Sequence, residues 1–447
     1  MKTIRIRCLI LGILILGMIF PAASAEREIP DVLRVTQDIK ITTLKHYQMI
    51  TWSVLHSARE DVNDAINARV DALKEETEAQ VPPGKDAVHS PPRGDICTQI
   101  TRTGDRWMSF HIHAHASASN KQLWVKCEDY TYDMETGRLI RLGDIICEDG
   151  WETLIREIRT QVQDQFPGEE PAAEELDRIC SRDALADTGF VMTPGHLALY
   201  YPAADLYPAH AEALLRVEIY VPGLREILTE EARQETDCSG YGLIALTYDD
   251  GPVKGRSREV LNASTRNPGQ VTFFLIGHRL EKNAELLHLE YDSGHSVQSH
   301  AWTHEQNKVT EKKWAQWEEL FDQAMSDIIG VMPTLMRPPG GNWKIYVNAG
   351  SEMPMILWNV NSQDVALDDS DDDLRHCYGC VIGAEDGDII LCHDANAFPM
   401  ELAKRSMEFF EKHNMLLVTV DDLCALRGVT PEAGMTLKAC PPEGGEE

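Results

Sequence analysis

From residue 241 to residue 426, short apolar runs alternate with longer amphipathic stretches. "LIALTYDD", "VTFFLIG", "HSVQSH", "MILWNV", "GDIILCH" and "LLVTV" each have the length and apolar content of a strand. Between the third and fourth, "TEKKWAQWEELFDQAMSDIIGVMP" spaces Trp314, Trp317, Phe321, Met325 and Ile328 by threes and fours. That period predicts a helix, ended by Gly330 and Pro333. Repeated strand–helix units of this size predict an α/β domain with a parallel sheet, closed as a barrel or doubly wound. The chain ahead of them reads differently. A strand is expected over 33–42 and a helix over 58–80, where Val62, Ala65, Ile66, Val70, Ala72 and Leu73 approach helical spacing. "VPPGKDAVHSPPRG" reads as a loop, "TYDMETGRLIRL" as a hairpin and "WETLIREIRTQVQDQF" as an amphipathic helix. "HLALYYPAADLYPAHAEALLRVEIYV" returns to strands, and "GLREILTEEARQ" closes the region as a short helix. Such segregation predicts an α+β domain over 30–235, an α/β domain over 240–428, and a flexible Pro/Gly/Glu-rich tail over 429–447.

The first residues follow neither pattern. Lys2, Arg5 and Arg7 precede an apolar run over 9–20, and Ala23-Ser24-Ala25 gives the small-x-small pattern of a cleavage site. The run is short for a membrane span, so residues 1–25 are expected to be a signal peptide. The mature protein is then exported, periplasmic or extracellular, without a stable span. A length of 447 residues exceeds one ordinary core, and 43% hydrophobic with 26% charged residues is a globular composition. Loss of the signal moves the formal charge from -30 to -33. So acidic a surface repels nucleic acid and anionic membranes and suits a neutral or cationic substrate. Ten cysteines remain without Cys8, an even number that favours disulfides in an exported chain. Near neighbours suggest Cys97 with Cys127, Cys147 with Cys180 and Cys424 with Cys440, the connectivity remaining open. "CYGC" (377–380) has redox-motif spacing without thioredoxin-like surroundings and reads as a structural pair; Cys392 reads as a buried thiol.

Candidate chemistry starts in "ALTYDDGP". The apolar residues 243–246 form a core strand and Gly251-Pro252 stops it, so Asp249 and Asp250 fall at a strand's carboxyl end, where α/β folds build their sites. A turn would account for the pair alone. "HSVQSHAWTH" adds His300 at the end of a second strand and His304 four residues on, a spacing that puts both rings on one helical face. Two His and one carboxylate make a catalytic zinc set with positions left open. Two other stretches take plainer readings. His111, His113 and His115 in "FHIHAH" lie on one face of a strand, expected to be an exposed polar face opposite Phe110, Ile112 and Ala114. "DDSDDDL" (368–374) lacks the turn Gly and closing Glu of a calcium loop and is expected to start a helix.

With these motifs in order, the region 241–426 resembles the NodB-type polysaccharide deacetylases, the fourth family of carbohydrate esterases. "TYDDGP", "SHAWTH", "RPPG", "NSQDV" and "LCH" stand for the family's five motif regions. The resemblance implies a distorted, incomplete (β/α) barrel. It implies Asp249 as general base and Asp250, His300 and His304 as ligands of zinc, with cobalt, nickel or manganese as substitutes. It further implies Arg337 orienting Asp249, and His393 as the acid for the leaving group, supported by Asp364. Thr247, Leu391 and Trp343 would contact substrate, and a main-chain N–H near Gly340 would join the metal in stabilising the oxyanion. Leu391 would shape the acetyl pocket. Three departures bear on substrate preference: Val365 replaces the usual Trp of the fourth motif, Asn361 its first Asp, and Gly340 an aromatic. Trp302, Trp343 and Trp358 are the aromatic side chains available to fill that space. The amino-terminal region is similar to an extracytoplasmic module that precedes some peptidoglycan deacetylases and forms the outer part of lysozyme-sensing anti-sigma factors. "NDAINARVDALKEE", "YDMETGRLIRLGDII" and "GFVMTPGHLALYYPAADLYPAHAEALLRVEIYVPGL" carry that likeness, which implies glycan or lysozyme contact.

The expected activity is metal-dependent removal of N-acetyl groups from a cell-wall or related aminosugar polymer such as peptidoglycan or a chitin-like chain. An acetylxylan-type O-deacetylase is the alternative within the same chemistry. A non-catalytic glycan- or lysozyme-binding protein is the alternative outside it. Retention of Asp249 beside a full metal set favours catalysis, because a binding protein has no physical use for the free carboxylate.

Overall fold

The computed structural model describes residues 29–442 apart from 45–46, 85–90, 366, 368–369 and 397. The expected signal peptide lies outside the described residues. Among them no helix is long and apolar enough to cross a membrane.

The first unit is a six-stranded sheet in chain order: β1 (Val35–Thr43), β2 (Met49–Ser57), β3 (Arg93–Arg102), β4 (Trp107–Ala118), β5 (Lys121–Asp133) and β6 (Leu139–Ile140). β2 and β3 run parallel because the helix Glu60–Gln80 carries the chain back between them. Val62, Ile66, Val70 and Leu73 recur every three or four residues and bury that helix against Ile96, Ile112 and Ala114 of the sheet. A second unit holds β7 (Val191–Met192), β8 (His196–Pro202) and β9 (Leu214–Tyr220), an antiparallel sheet. The helix Trp151–Asp164 lays Leu154, Ile158 and Val162 into its core. The region read as one α+β domain therefore contains two cores.

The third unit is parallel and α/β. β10 (Gly242–Gly251) lies centrally between β11 (Thr272–Leu275) and β15 (Ile389–His393); β12 (Ser296–Ser299) follows β11 and β14 (Val360–Asn361) follows β15. β13 (Met355–Ile356) is linked to β12 through bridges at Met336, and only three residues separate it from β14. The strands thus turn back on themselves as a distorted (β/α) barrel. β16 (Met415–Leu417) pairs with the first half of β10, and β17 (Thr436–Leu437) pairs with β13. The helix Glu311–Ile329 is as its period required, capped by Thr310 and ended by Gly330 at φ 78°, with Ile329 taking the buried place expected of Ile328. The acidic run starts a helix, Asp371–Val381, with Ser370 and Asp373 forming a capping box.

Three expectations are overturned. The chain beyond 429 is no free tail up to residue 442: β17 pairs with β13, and Leu437 and Cys440 are buried. His111, His113 and His115 are buried, not exposed. Their face of β4 is covered by the helix Ala284–Asp292, in which every residue from Glu285 on is buried. His111 bridges Asp129 Oδ1 and the Asp292 carbonyl, each at 2.6 Å, and Ser117 donates to Glu285 Oε1 at 2.9 Å. One face of the amino-terminal sheet is thereby packed against the barrel domain through this helix. Finally, the ten cysteines among the described residues are free thiols. Cys97 on β3 and Cys127 on β5 both stand opposite His113 of the intervening β4. Two strand spacings, roughly 10 Å, exceed a disulfide's reach. Cys147 donates its thiol to the Leu228 carbonyl instead of meeting Cys180. Cys424 and Cys440 are unbonded neighbours with sulfurs 3.8 Å apart. Cys377 and Cys380 sit unjoined on one helix.

Candidate active site

In a regular strand Asp249 and Asp250 would point to opposite faces. Here the pairing of β10 with β11 slips between Asp249 and Gly251, and Asp250 takes φ 75°. That left-handed residue breaks the alternation and lets both carboxylates serve one site. Ala301, just after His300, and Gln363, just before Asp364, also have φ near +60°. Backbone of this kind persists where surrounding structure holds it.

The parallel strands all present their carboxyl ends to this rim, as in other barrels of this class. His300 follows β12 and is buried; His304, on the loop behind it, is exposed. Their Nε2 atoms lie 3.7 and 3.6 Å from Asp250 Oδ1. One donor atom from each of these three residues falls within 4.8 Å of the others, a set able to hold a divalent cation. His300 fits the role closely, since its Nδ1 is 2.7 Å from the Arg337 carbonyl, which leaves Nε2 turned to Asp250. Burial lowers the pKa of His300 against the pull of Asp249 and Asp250, which keeps a ligand's neutral ring.

Arg337 is fully buried beneath the rim. It donates from Nη1 to Asp249 Oδ1 at 2.9 Å and to Thr247 Oγ1, and from Nε and Nη2 to the carbonyls of Ile356 and Leu357. Its guanidinium lies 4.2 Å from the Phe274 ring centre. Asp249, itself only 3% exposed, faces this buried charge directly. At the opposite edge Asp364 grips His393 twice: Oδ1 meets Nδ1 at 2.7 Å and Oδ2 accepts the main-chain N–H at 2.7 Å. Burial alone would lower the imidazole's pKa, but the Asp364 hydrogen bond and charge outweigh it, and Asp249 and Asp250 add to the rise. His393 is pushed up to about 9.

The residues expected to touch substrate divide. Thr247 is fully enclosed, donating to the Ile390 carbonyl at 2.6 Å and accepting from Arg337, so it braces the arginine and meets no ligand. Leu391 shares the site face of β15 with His393 by strand alternation. Gly340, at φ 62°, lies in a tight turn over 339–341 that leads into the short helix carrying Trp343. Trp343 is partly buried against a cluster around Trp314 and Tyr346. Trp302 packs against the barrel core, and Trp358 lies over Gly341. Val365, 54% exposed, adds an apolar spot beside Asp364. Two neighbours escaped the sequence reading. Asp394, fully buried behind His393, accepts from Ser257 and has its pKa raised to about 7 by burial. Gln306 places its amide 3.3 Å from His304 Nδ1. An acid following the terminal His was visible in "LCHD"; nothing in the sequence marked Gln306.

Residues 237–355 match the family model described as polysaccharide deacetylase. With the barrel and its rim, the carboxyl-terminal half is a polysaccharide deacetylase domain. The chain is 26% identical over 320 residues to peptidoglycan-N-acetylglucosamine deacetylase PgdA of Listeria monocytogenes, spanning 66% of this chain and 64% of that protein. It is 28% identical over 193 residues to peptidoglycan-N-acetylmuramic acid deacetylase PdaC of Bacillus subtilis, covering 43% of this chain and 40% of the relative. The solved structure of PdaC superimposes with a TM-score of 0.40 at 27% identity, over 43% of this chain and 94% of that one. The chain thus spans under two thirds of the length of these two relatives.

Proposed function

We propose that the protein is an exported hydrolase that uses a divalent cation, zinc by its ligand set, to remove N-acetyl groups from a cell-wall aminosugar polymer. The observation that carries this reading is the meeting of three devices at one rim: the Asp250–His300–His304 group, the Arg337–Asp249 pair and the Asp364–His393 pair. A cation held by the first group supplies a Lewis acid and makes water more acidic. Asp249, held in place by Arg337, takes the proton of the attacking water. The main-chain N–H at Gly340 offers a hydrogen bond to the charge that develops on the carbonyl oxygen. Leu391 and Val365 give the acetyl methyl an apolar surface. His393 gives its proton to the sugar nitrogen as the carbon–nitrogen bond breaks. A leaving amine requires that proton, and an imidazole with a pKa near 9 carries it at neutral pH. The names of the Listeria and Bacillus relatives support peptidoglycan as the polymer.

The test is acetate release by the zinc-loaded protein from peptidoglycan, chitin oligomers and acetylxylan, beside an Asp249→Asn control. Release from an aminosugar polymer, abolished in the control, is expected. Equal release by protein and control, or release from acetylxylan alone, would overturn the reading.

A further inference from the structure

We propose that Gln306 is the positioning residue of His304, deciding which ring nitrogen His304 offers toward Asp250. The inference rests on the cation reading above. Of the three ligands, His304 is the least constrained: its side chain is 40% exposed, against 2% for His300. His300 is oriented by the Arg337 carbonyl, and the group that meets His304 Nδ1 is the Gln306 amide, with its Nε2 at 3.3 Å. A side-chain amide offers a donor and an acceptor at equal reach. With Oε1 turned to the ring, it accepts the Nδ1–H and leaves the Nε2 lone pair toward Asp250. With the NH₂ turned to the ring, it places the proton on Nε2 and blocks that nitrogen as a ligand. The structure holds the second arrangement; a cation selects the first, reached by a half-turn of the amide, and there the glutamine holds the ring.

The loop around Gln306 is built to keep it there. Asn342 donates to the Gln306 carbonyl at 3.1 Å, and Tyr346 donates to the neighbouring Glu305 carbonyl at 2.8 Å. The side chain occupies space that exists because residue 340 is glycine. A Cβ at 340 would stand 2.8 Å from Gln306 Cδ, 3.0 Å from Oε1 and 3.1 Å from Nε2. A side chain at 340 and the Gln306 amide compete for one volume, so the glycine of this chain and its orienting amide belong together.

Zinc affinity measured by competition with a fluorescent chelator tests this on the full chain and on the Gln306→Leu, Gln306→Glu and Asp250→Ala variants. The tautomer of His304 is read in parallel by ¹⁵N-resolved NMR of the zinc-loaded proteins. Gln306→Leu is expected to bind zinc about 10–100-fold more weakly, with a weakened Nδ1–H hydrogen bond at His304. Gln306→Glu, which keeps an acceptor at the same reach, is expected to restore both. A general structural role would not distinguish Glu from Leu in this way. Loss of affinity in Asp250→Ala with Gln306→Leu like the parent would overturn the inference alone. Unchanged affinity in Asp250→Ala would overturn the cation reading and the inference with it.

Discussion

Asp364→Asn isolates the acid arm of the site. The substitution keeps the side chain's volume and removes the charge that faces His393 Nδ1 at 2.7 Å. With that carboxylate gone, burial, which lowers the imidazole's pKa, is opposed only by the more distant Asp249 and Asp250. The pKa should therefore fall from about 9 toward or below the usual 6.5. At pH 7.5 the protonated fraction drops from about 97% to about 10% or less, a roughly tenfold loss before any loss of orientation. The acid must be protonated to work, so the loss grows as pH rises and shrinks as it falls. The assay is kcat/KM against pH on a soluble acetylated aminosugar oligomer, with equal metal content in both proteins. The basic limb should move down by about 2.5 pH units or more in the variant. A uniform drop in rate with the limb unmoved would refute the assignment of His393 as the acid raised by Asp364.

Two further predictions concern stability. His196 of β8 contacts Asp422 of the helix Val420–Leu426 across the domain seam, and Asp422 outweighs burial to raise its pKa to about 9. Since the folded value lies above the unfolded 6.5, this stabilisation is complete below about pH 6.5 and disappears as pH rises through about 9; it amounts to roughly 3 kcal/mol. Thermal unfolding from pH 6 to 10 should show that slope in the parent and lack it in His196→Gln; equal slopes would exclude the pair as its source. Arg337→Met leaves the buried Asp249 carboxylate without its guanidinium and should cost about 3–5 kcal/mol by denaturant unfolding. Adding Asp249→Asn should restore part of that loss, and strictly additive costs would mean the pair is not coupled.

The strand carrying the paired carboxylates was legible because a local apolar run ended in Asp-Asp-Gly-Pro, and both signals lie within ten residues. The helix Glu311–Ile329 was legible because cap, period and stop are all local. The motif residues converge because parallel strands deliver their carboxyl ends to one rim, so their order along the chain already implied a shared site. Less legible was how two neighbours on one strand face the same way. That depends on the left-handed Asp250 and the slip in pairing beside it.

What escaped the sequence depends on partners far along the chain. The alternation of "FHIHAH" determined that its three histidines share a face, but not what covers that face. The cover is a helix over 170 residues later, and it turns an expected polar surface into a buried seam. Spacing suggested Cys97 and Cys127 as partners, whereas the sheet inserts β4 between them. Thr247 lies two residues from the carboxylates, yet its neighbours Ile390 of β15 and Arg337 of the loop after Met336 assign it to the scaffold. Period, caps and motif order are properties of covalent neighbours, and the sequence determines them by itself. Burial, pKa and hydrogen-bond partnership are set by which surfaces dock, and for His111, Thr247 and Gln306 only the tertiary structure decided that.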